Sequence, residues 1–145
     1  MSANSYGLAE WECMDLIRER SVGRLCIVDH GYPLAIPVNY TMAVIDGDNS
    51  IVVRTAPETM LGRYEGLGSF EVDDIDLAGG HAWSVIVRGN VRRVVGSHAL
   101  PDPRPLLTED RHQWMVLHKA SVSGRRFVVE RASEGYFVDW QIAPV

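Results

Sequence analysis

Lysine is nearly missing from this chain of 145 residues: Lys119 is the only one, and every other basic residue is an arginine. The formal charge is −5, so there is no basic footprint to displace counterions from a nucleic acid. Long apolar runs are also missing. No window comes near the roughly 20 apolar residues that a membrane span requires, and Met1 to Gly7 is short and polar rather than charged and then apolar. A soluble, cytoplasmic protein is expected, with neither nucleic acid nor membrane as a partner. Cysteine is scarce as well. Cys13 and Cys26 both have apolar neighbours, which predicts buried free thiols rather than a disulfide.

The familiar catalytic signatures are absent too. There is no Gly-x-Ser-x-Gly elbow, P-loop or zinc-protease helix. Gly66-Leu67-Gly68 lacks the third glycine of a dinucleotide loop and precedes a strand rather than a helix. Asp46, Asp48 and Ser50 alternate like the start of a calcium loop, but Ile51 stands where that loop needs glycine and Pro57 where it needs glutamate. His30, His81, His98, His112 and His118 are scattered, none beside a carboxylate or cysteine at metal-ligand spacing. A hydrolase and a metalloenzyme are both poorly supported, and no metal is expected. A cofactor carrying its own reactivity suits a chain with so little catalytic apparatus.

What is present is a run of short strands. The length predicts one domain spanning 1–145, large enough to hide roughly 70% of the surface its unfolded chain exposes. Leu8 to Arg20 carries an apolar stripe at helical spacing and reads as a cap over one end of a sheet. Arg24 to Asp29 and Leu34 to Met42 read as a hairpin turning at His30–Pro33, with Pro37 marking an edge, a bulge or a bend. Ile51 to Thr55, Ser69 to Asp73 and His81 to Val95 are further strands, and Gly89 suggests a bulge in the longest. Asp73 to Asp76, with Gly79-Gly80, reads as an acidic loop. Pro101 to Pro105 breaks any regular element, and Thr108 to Ala120 reads as a second amphipathic helix. Phe127 to Arg131 and Tyr136 to Trp140 complete six or seven strands. Short strands joined by turns, with few crossover helices, predict a mainly β fold, an antiparallel barrel with flanking helices.

The element with most chemical promise is the strand ending Arg54-Thr55, the turn Ala56-Pro57, and the short helical piece Glu58 to Tyr64. An arginine fork beside the amides of a first helical turn is a plausible cradle for an anion such as a flavin phosphate. An ordinary strand–turn–helix connection with a solvated arginine would read the same.

Val22-Gly23-Arg24-Leu25, Pro37-Val38-Asn39-Tyr40, Arg54-Thr55-Ala56, Phe70-Glu71-Val72-Asp73 and Trp83 to Gly89 follow in order, with Gly124-Arg125-Arg126 near the end. This run resembles the pyridoxamine 5'-phosphate oxidase-like family of flavin-binding split barrels, especially its small nitroimidazole-resistance-like branch, over roughly Leu8 to Phe127. The resemblance implies a six-stranded antiparallel split β-barrel that pairs into a homodimer with FMN at the interface. It implies an oxidoreductase acting on a small molecule. Pro37, Val38, Asn39 and Tyr40 would border the flavin ring, largely through main-chain atoms. Arg54, Thr55 and Ala56 would meet the phosphate, and Thr59 would add a hydroxyl. Ser84, beside Trp83, would reach the flavin of the opposite subunit, and Arg125 would serve the phosphate or the substrate side.

The chain departs from the pattern at Met60, where the family commonly has lysine. Arg63, one turn on, is the nearest cation that could replace it. Losing one charge-assisted contact forfeits about 1.5–3 kcal/mol, roughly one to two decades in affinity. Three readings therefore stay open: a flavin-dependent oxidoreductase, a non-catalytic binder of flavin, deazaflavin or haem, and a degenerate member with an empty pocket. Catalytic residues are not identifiable, Tyr40 and His81 being the only candidates for passing a proton. Oxidation of pyridoxamine phosphate itself is not expected, since no second phosphate site for a substrate is visible.

Overall fold

A computed structural model describes residues 5–76, 78–95, 100–104, 112–128, 130–132 and 135–137. In chain order the elements are β1 (Ser5–Gly7), α1 (Glu10–Arg18), β2 (Val22–Asp29), β3 (Tyr32–Asn39), β4 (Thr41–Ile45) and β5 (Asp48–Thr55). A single 3-10 turn (Leu61–Arg63) follows, then β6 (Gly66–Asp76), β7 (His81–Val94), β8 (Gln113–Val128), β9 (Glu130–Ala132) and β10 (Gly135–Phe137).

Two tight turns start the sheet. His30 and Gly31 have φ of 48° and 81°, and Asp46 and Gly47 have 52° and 85°. Positive φ at both central residues is the type I′ turn, whose twist matches that of the strands it joins. The hairpins β2–β3 and β4–β5 follow. The main sheet runs β3-β2-β6-β7-β8-β5-β4, with β1 on the far end of β8. All of its ladders are antiparallel.

This order dictates a barrel. β3 and β4 are the two outermost strands, yet only Tyr40 separates them in the chain. A single residue can join opposite ends of a seven-strand path only if the sheet curls round on itself. Between β3 and β4 there is a covalent joint but, among the described residues, no ladder, and this is the split. Leu25, Ile51, Phe70, Val72, Val85 and Met115 fill the interior.

α1 closes one end by burying Cys13, Met14 and Ile17. Its first turn is held by the Glu12 carboxylate, which accepts the Ala9 amide at 2.7 Å. Lys119 on β8 reaches Glu10 at 2.5 Å, and the Tyr40 hydroxyl donates to the Ile17 carbonyl from inside the core. The joint of the barrel and its cap are thereby locked together. Cys13 is buried, Cys26 is half-buried, and both are free thiols.

Several expectations need correcting. The helix predicted over Thr108 to Ala120 is strand where it is described: Gln113 to Ala120 belongs to β8, while 108–111 lie outside the described residues. Met115 and Leu117 face the barrel interior, and Val116 is fully covered on the opposite face. A strand buried on both sides loses its period of two and imitates a helix segment. The single strand predicted over Leu34 to Met42 is two, divided at Tyr40. Asp73 to Asp76 is the end of β6 rather than a loop. The short helical piece shrinks to Leu61–Arg63. The six expected strands become eight in the main sheet. Phe127 and Val128 end β8, and of Tyr136 to Trp140 the last three residues lie outside the described ones. The bulge at Gly89 is present: the β7–β8 register slips between Arg88 and Gly89. A side chain there would run into the His118 carbonyl.

Candidate functional site

Strand alternation turns Ile51 and Val53 into the core and Arg54 to the outer face. There Arg54 pairs in register with Trp114 of β8, and its guanidinium lies 5.3 Å from the indole centroid. Nη1 donates to both carboxylate oxygens of Asp102, at 3.0 and 3.1 Å. Asp102 also accepts the Arg104 backbone amide at 2.9 Å. That amide, and then Arg54, hold the Asp102 carboxyl below the usual carboxylate range. The Arg54 side chain is only 17% exposed. An arginine stacked on an aromatic face is fixed in orientation, so its charge is aimed rather than diffuse. This is an oxyanion seat, and in the isolated chain the oxyanion is the protein's own.

Beside it, the hydroxyls are spent within the chain. Thr55 Oγ1 and Thr59 Oγ1 are 2.8 Å apart, Thr59 Oγ1 donates to the Ala56 carbonyl at 2.8 Å, and the Gly62 amide donates to Thr59 Oγ1 at 3.0 Å. The amides of Thr59 and Arg63 are also bonded locally, to Ala56 and to Thr59 and Met60. Part of the cradle of turn amides expected from the sequence is therefore spent within the chain, at Thr59, Gly62 and Arg63, which leaves side-chain charge as a main attraction for an anion. Met60 is 47% exposed and brings none. Arg63 is exposed, its Nε lying 3.4 Å from the Thr59 carbonyl. Gln113 sits beneath, donating its side-chain amide to the Gly62 carbonyl and so tying the turn to β8.

The remaining sequence-predicted residues lie elsewhere. Pro37, Val38 and Asn39 stand on β3, opposite Arg24, Gly23 and Val22, on the strand that touches β5 across the split. Tyr40 is buried, stacks edge-on against Phe70 at 4.7 Å, and spends its hydroxyl on Ile17. Burial raises its pKa, which keeps the hydroxyl protonated and donating to the Ile17 carbonyl. A cavity of about 180 Å³ lies beside it, lined by Ile17, Arg18, Arg20, Tyr40, Thr41 and Met42. Trp83 is buried, with the Arg20 guanidinium 5.6 Å from its ring centroid and Asp74 2.5 Å from Arg20. Ser84 pairs with Asp73 on one side and Arg125 on the other. Along β8, Arg125 stands eleven residues from Trp114, roughly 35 Å at ~3.3 Å per residue. One copy of the chain thus keeps Ser84 and Arg125 far along the sheet from Arg54. His81, the other proton candidate, is half-exposed, with Nδ1 3.0 Å from the Gly79 carbonyl oxygen and Nε2 3.6 Å from Asp76.

Near Ser84 lies a group that sequence reasoning missed. Glu71 and Asp73 share one face of β6, and Arg24 reaches both, at 2.8 and 3.2 Å. Desolvation, then the neighbouring Asp73, push Glu71 up to about 7, against the pull of Arg24. The group can hold a proton near neutral pH. Period-two spacing in Glu71-Val72-Asp73 was the available signal; the pairing with Arg24 comes only from the β2–β6 register. Asp102 had no local signal at all.

Hydrolytic chemistry has no support here. Ser50 Oγ is 3.4 Å from His118 Nδ1, but Arg92 approaches His118 Nε2 at 2.6 Å. Arginine only donates, so Nε2 accepts, Nδ1 carries the proton, and the serine meets a donor instead of a base. Among the described residues no cluster of His, Cys, Asp and Glu could hold a metal, and no helix is long and apolar enough to cross a membrane.

A family profile described as pyridoxamine 5'-phosphate oxidase matches residues 9–126. The chain belongs to this pyridoxamine 5'-phosphate oxidase family. Among solved structures, an FAD-binding protein from Mycobacterium smegmatis is 27% identical, with a TM-score of 0.65, covering 86% of this chain and 99% of that one. A conserved protein of unknown function from Corynebacterium diphtheriae is 25% identical, with a TM-score of 0.72 and 86% and 98% covered. A protein described as a candidate 5-nitroimidazole antibiotic resistance protein from Bacteroides thetaiotaomicron has a TM-score of 0.61, with 88% and 90% covered. At 14% identity it speaks for the fold alone. No curated protein matches the sequence. The barrel split at Tyr40 is the family's split barrel, which bears out the fold read from the motifs.

Proposed function

We propose that this member of the pyridoxamine 5'-phosphate oxidase family is a flavin-binding oxidoreductase that uses FMN, works as a homodimer, and acts on a small molecule. The observation that carries the reading is the oxyanion seat: Arg54, oriented by Trp114, already holds a carboxylate where the motifs put a flavin phosphate. The 27% identical relative that binds FAD supports a flavin nucleotide as the ligand. Bound there, a flavin would supply two-electron chemistry of its own. The chain supplies charge for the phosphate through Arg54 and a rigid floor through the Thr55–Thr59–Gly62 network. β3 supplies an edge for the ring through Pro37 to Asn39.

Distance along the sheet supports the dimer. Ser84 and Arg125 lie far along β7 and β8 from Arg54, and a second copy would bring its own Ser84 and Arg125 towards a ligand seated on Arg54. A closed pair with two-fold symmetry creates two such composite sites.

The test is a visible spectrum and mass spectrum of the purified protein, followed by titration with FMN and FAD. Arg54→Ala is expected to weaken binding ten- to a hundredfold, from the loss of about 1.5–3 kcal/mol for a charge-assisted contact. The reading fails if neither flavin binds more tightly than about millimolar, an affinity of only ~4 kcal/mol.

A further inference from the structure

We infer that Asp102 is an internal competitor for the phosphate seat, so that a flavin phosphate must displace it from Arg54 in order to bind. The inference rests on the flavin reading above, and it adds a residue that the family motifs do not contain.

Both oxygens of the Asp102 carboxylate take Arg54 Nη1, so the strongest local positive charge is neutralised before any ligand arrives. Asp102 is held ready for this. Pro101 and Pro103 flank it and restrict the backbone, Pro103 is buried, and the Arg104 amide fixes Oδ1 at 2.9 Å. The contact is nonetheless displaceable. The Asp102 side chain is 48% exposed against 17% for Arg54, so water solvates the carboxylate once it leaves, while the guanidinium keeps its place over Trp114. The design is an exchange of one oxyanion for another on an immobile cation. It also accounts for Met60. Without a lysine at Met60, only Arg63 on the same turn is left to help Arg54 against the resident carboxylate among the described residues of the turn, and the apparent affinity falls by the share of molecules in which Asp102 is seated.

The test is a set of fluorescence titrations with FMN and with riboflavin, which has the same ring system and no phosphate. They are run on the wild type, Asp102→Asn, Arg54→Ala and the double variant. Asparagine keeps the acceptor for the Arg104 amide and removes the charge. Asp102→Asn is expected to tighten FMN on the order of tenfold, to leave riboflavin unchanged, and to have no effect in the Arg54→Ala background. If Arg54→Ala weakens FMN while Asp102→Asn leaves it unchanged or weaker, or tightens riboflavin equally, the competitor role is overturned and the flavin site stands. If neither the wild type nor Asp102→Asn binds FMN, the flavin reading and the competitor fall together.

Discussion

At Arg54 the guanidinium meets an indole face and a carboxylate, and that pairing decides what the residue can do. Tyr40 shows the opposite case. Its hydroxyl is buried and committed to the Ile17 carbonyl, so its side chain pins α1. Tyr40→Phe should cost about 0.5–1.5 kcal/mol in chemical denaturation, the net worth of one hydrogen bond, because the Ile17 carbonyl keeps the Arg20 amide as a donor; flavin affinity should be unchanged. Glu71 adds a pH dependence. Its pKa is raised in the fold, to about 7 from its ordinary value of 4.5, so the folded state holds the proton more tightly than the unfolded chain. The stabilisation is therefore complete below the unfolded pKa and is lost as pH climbs through about 7. Denaturation midpoints of Glu71→Gln should lack this decline between roughly pH 4.5 and 7. The strand end at Arg54 and Thr55 and the turn after it were legible from sequence because strand and turn signals are local. Asp102 was not, since its partner lies 48 positions away and nothing within a proline-rich loop announces which cation it will meet.

Elements were legible in proportion to how one-sided they are. β7 buries Trp83, Val85 and Val87 and leaves Ser84, Ile86 and Arg88 less covered, so its period of two survives. α1 likewise shows its stripe. β8 is covered on both faces over Met115 to Leu117 and reads as helix, because periodicity reports an asymmetry of solvent that this strand does not have. The bulge was legible because glycine was the cause and not the consequence: only a residue without Cβ lets the His118 carbonyl come so close to Gly89. Gly89→Ala should cost about 1–3 kcal/mol, in the range for overpacking a tight site. The thermal midpoint would show it, and a far-ultraviolet spectrum should stay unchanged because the ladders on either side persist.

At the scale of the whole molecule, Arg54 of β5 stands beside Trp114 at one end of the β7–β8 ladder and Ser84 and Arg125 stand towards the other, and the proposed dimer would unite them. Complementation tests this directly. Arg54→Ala damages the phosphate end and Ser84→Leu the far end, so each homodimer should bind flavin poorly. After co-refolding equal amounts, random assortment makes half of the dimers mixed, each with one intact site, so about a quarter of all sites should recover wild-type affinity. Recovery of none would place both residues in one copy or leave Ser84 outside the site. The split at Tyr40 has a different consequence. There the cylinder is closed by the covalent joint rather than by a ladder, since β3 and β4 share Tyr40 but no strand pairing. A circular permutant opened at that residue would keep every rung of the sheet while removing the joint, and any loss of curvature would be a measure of how far covalent tension, rather than strand pairing, bends the wall against which a ligand must lie.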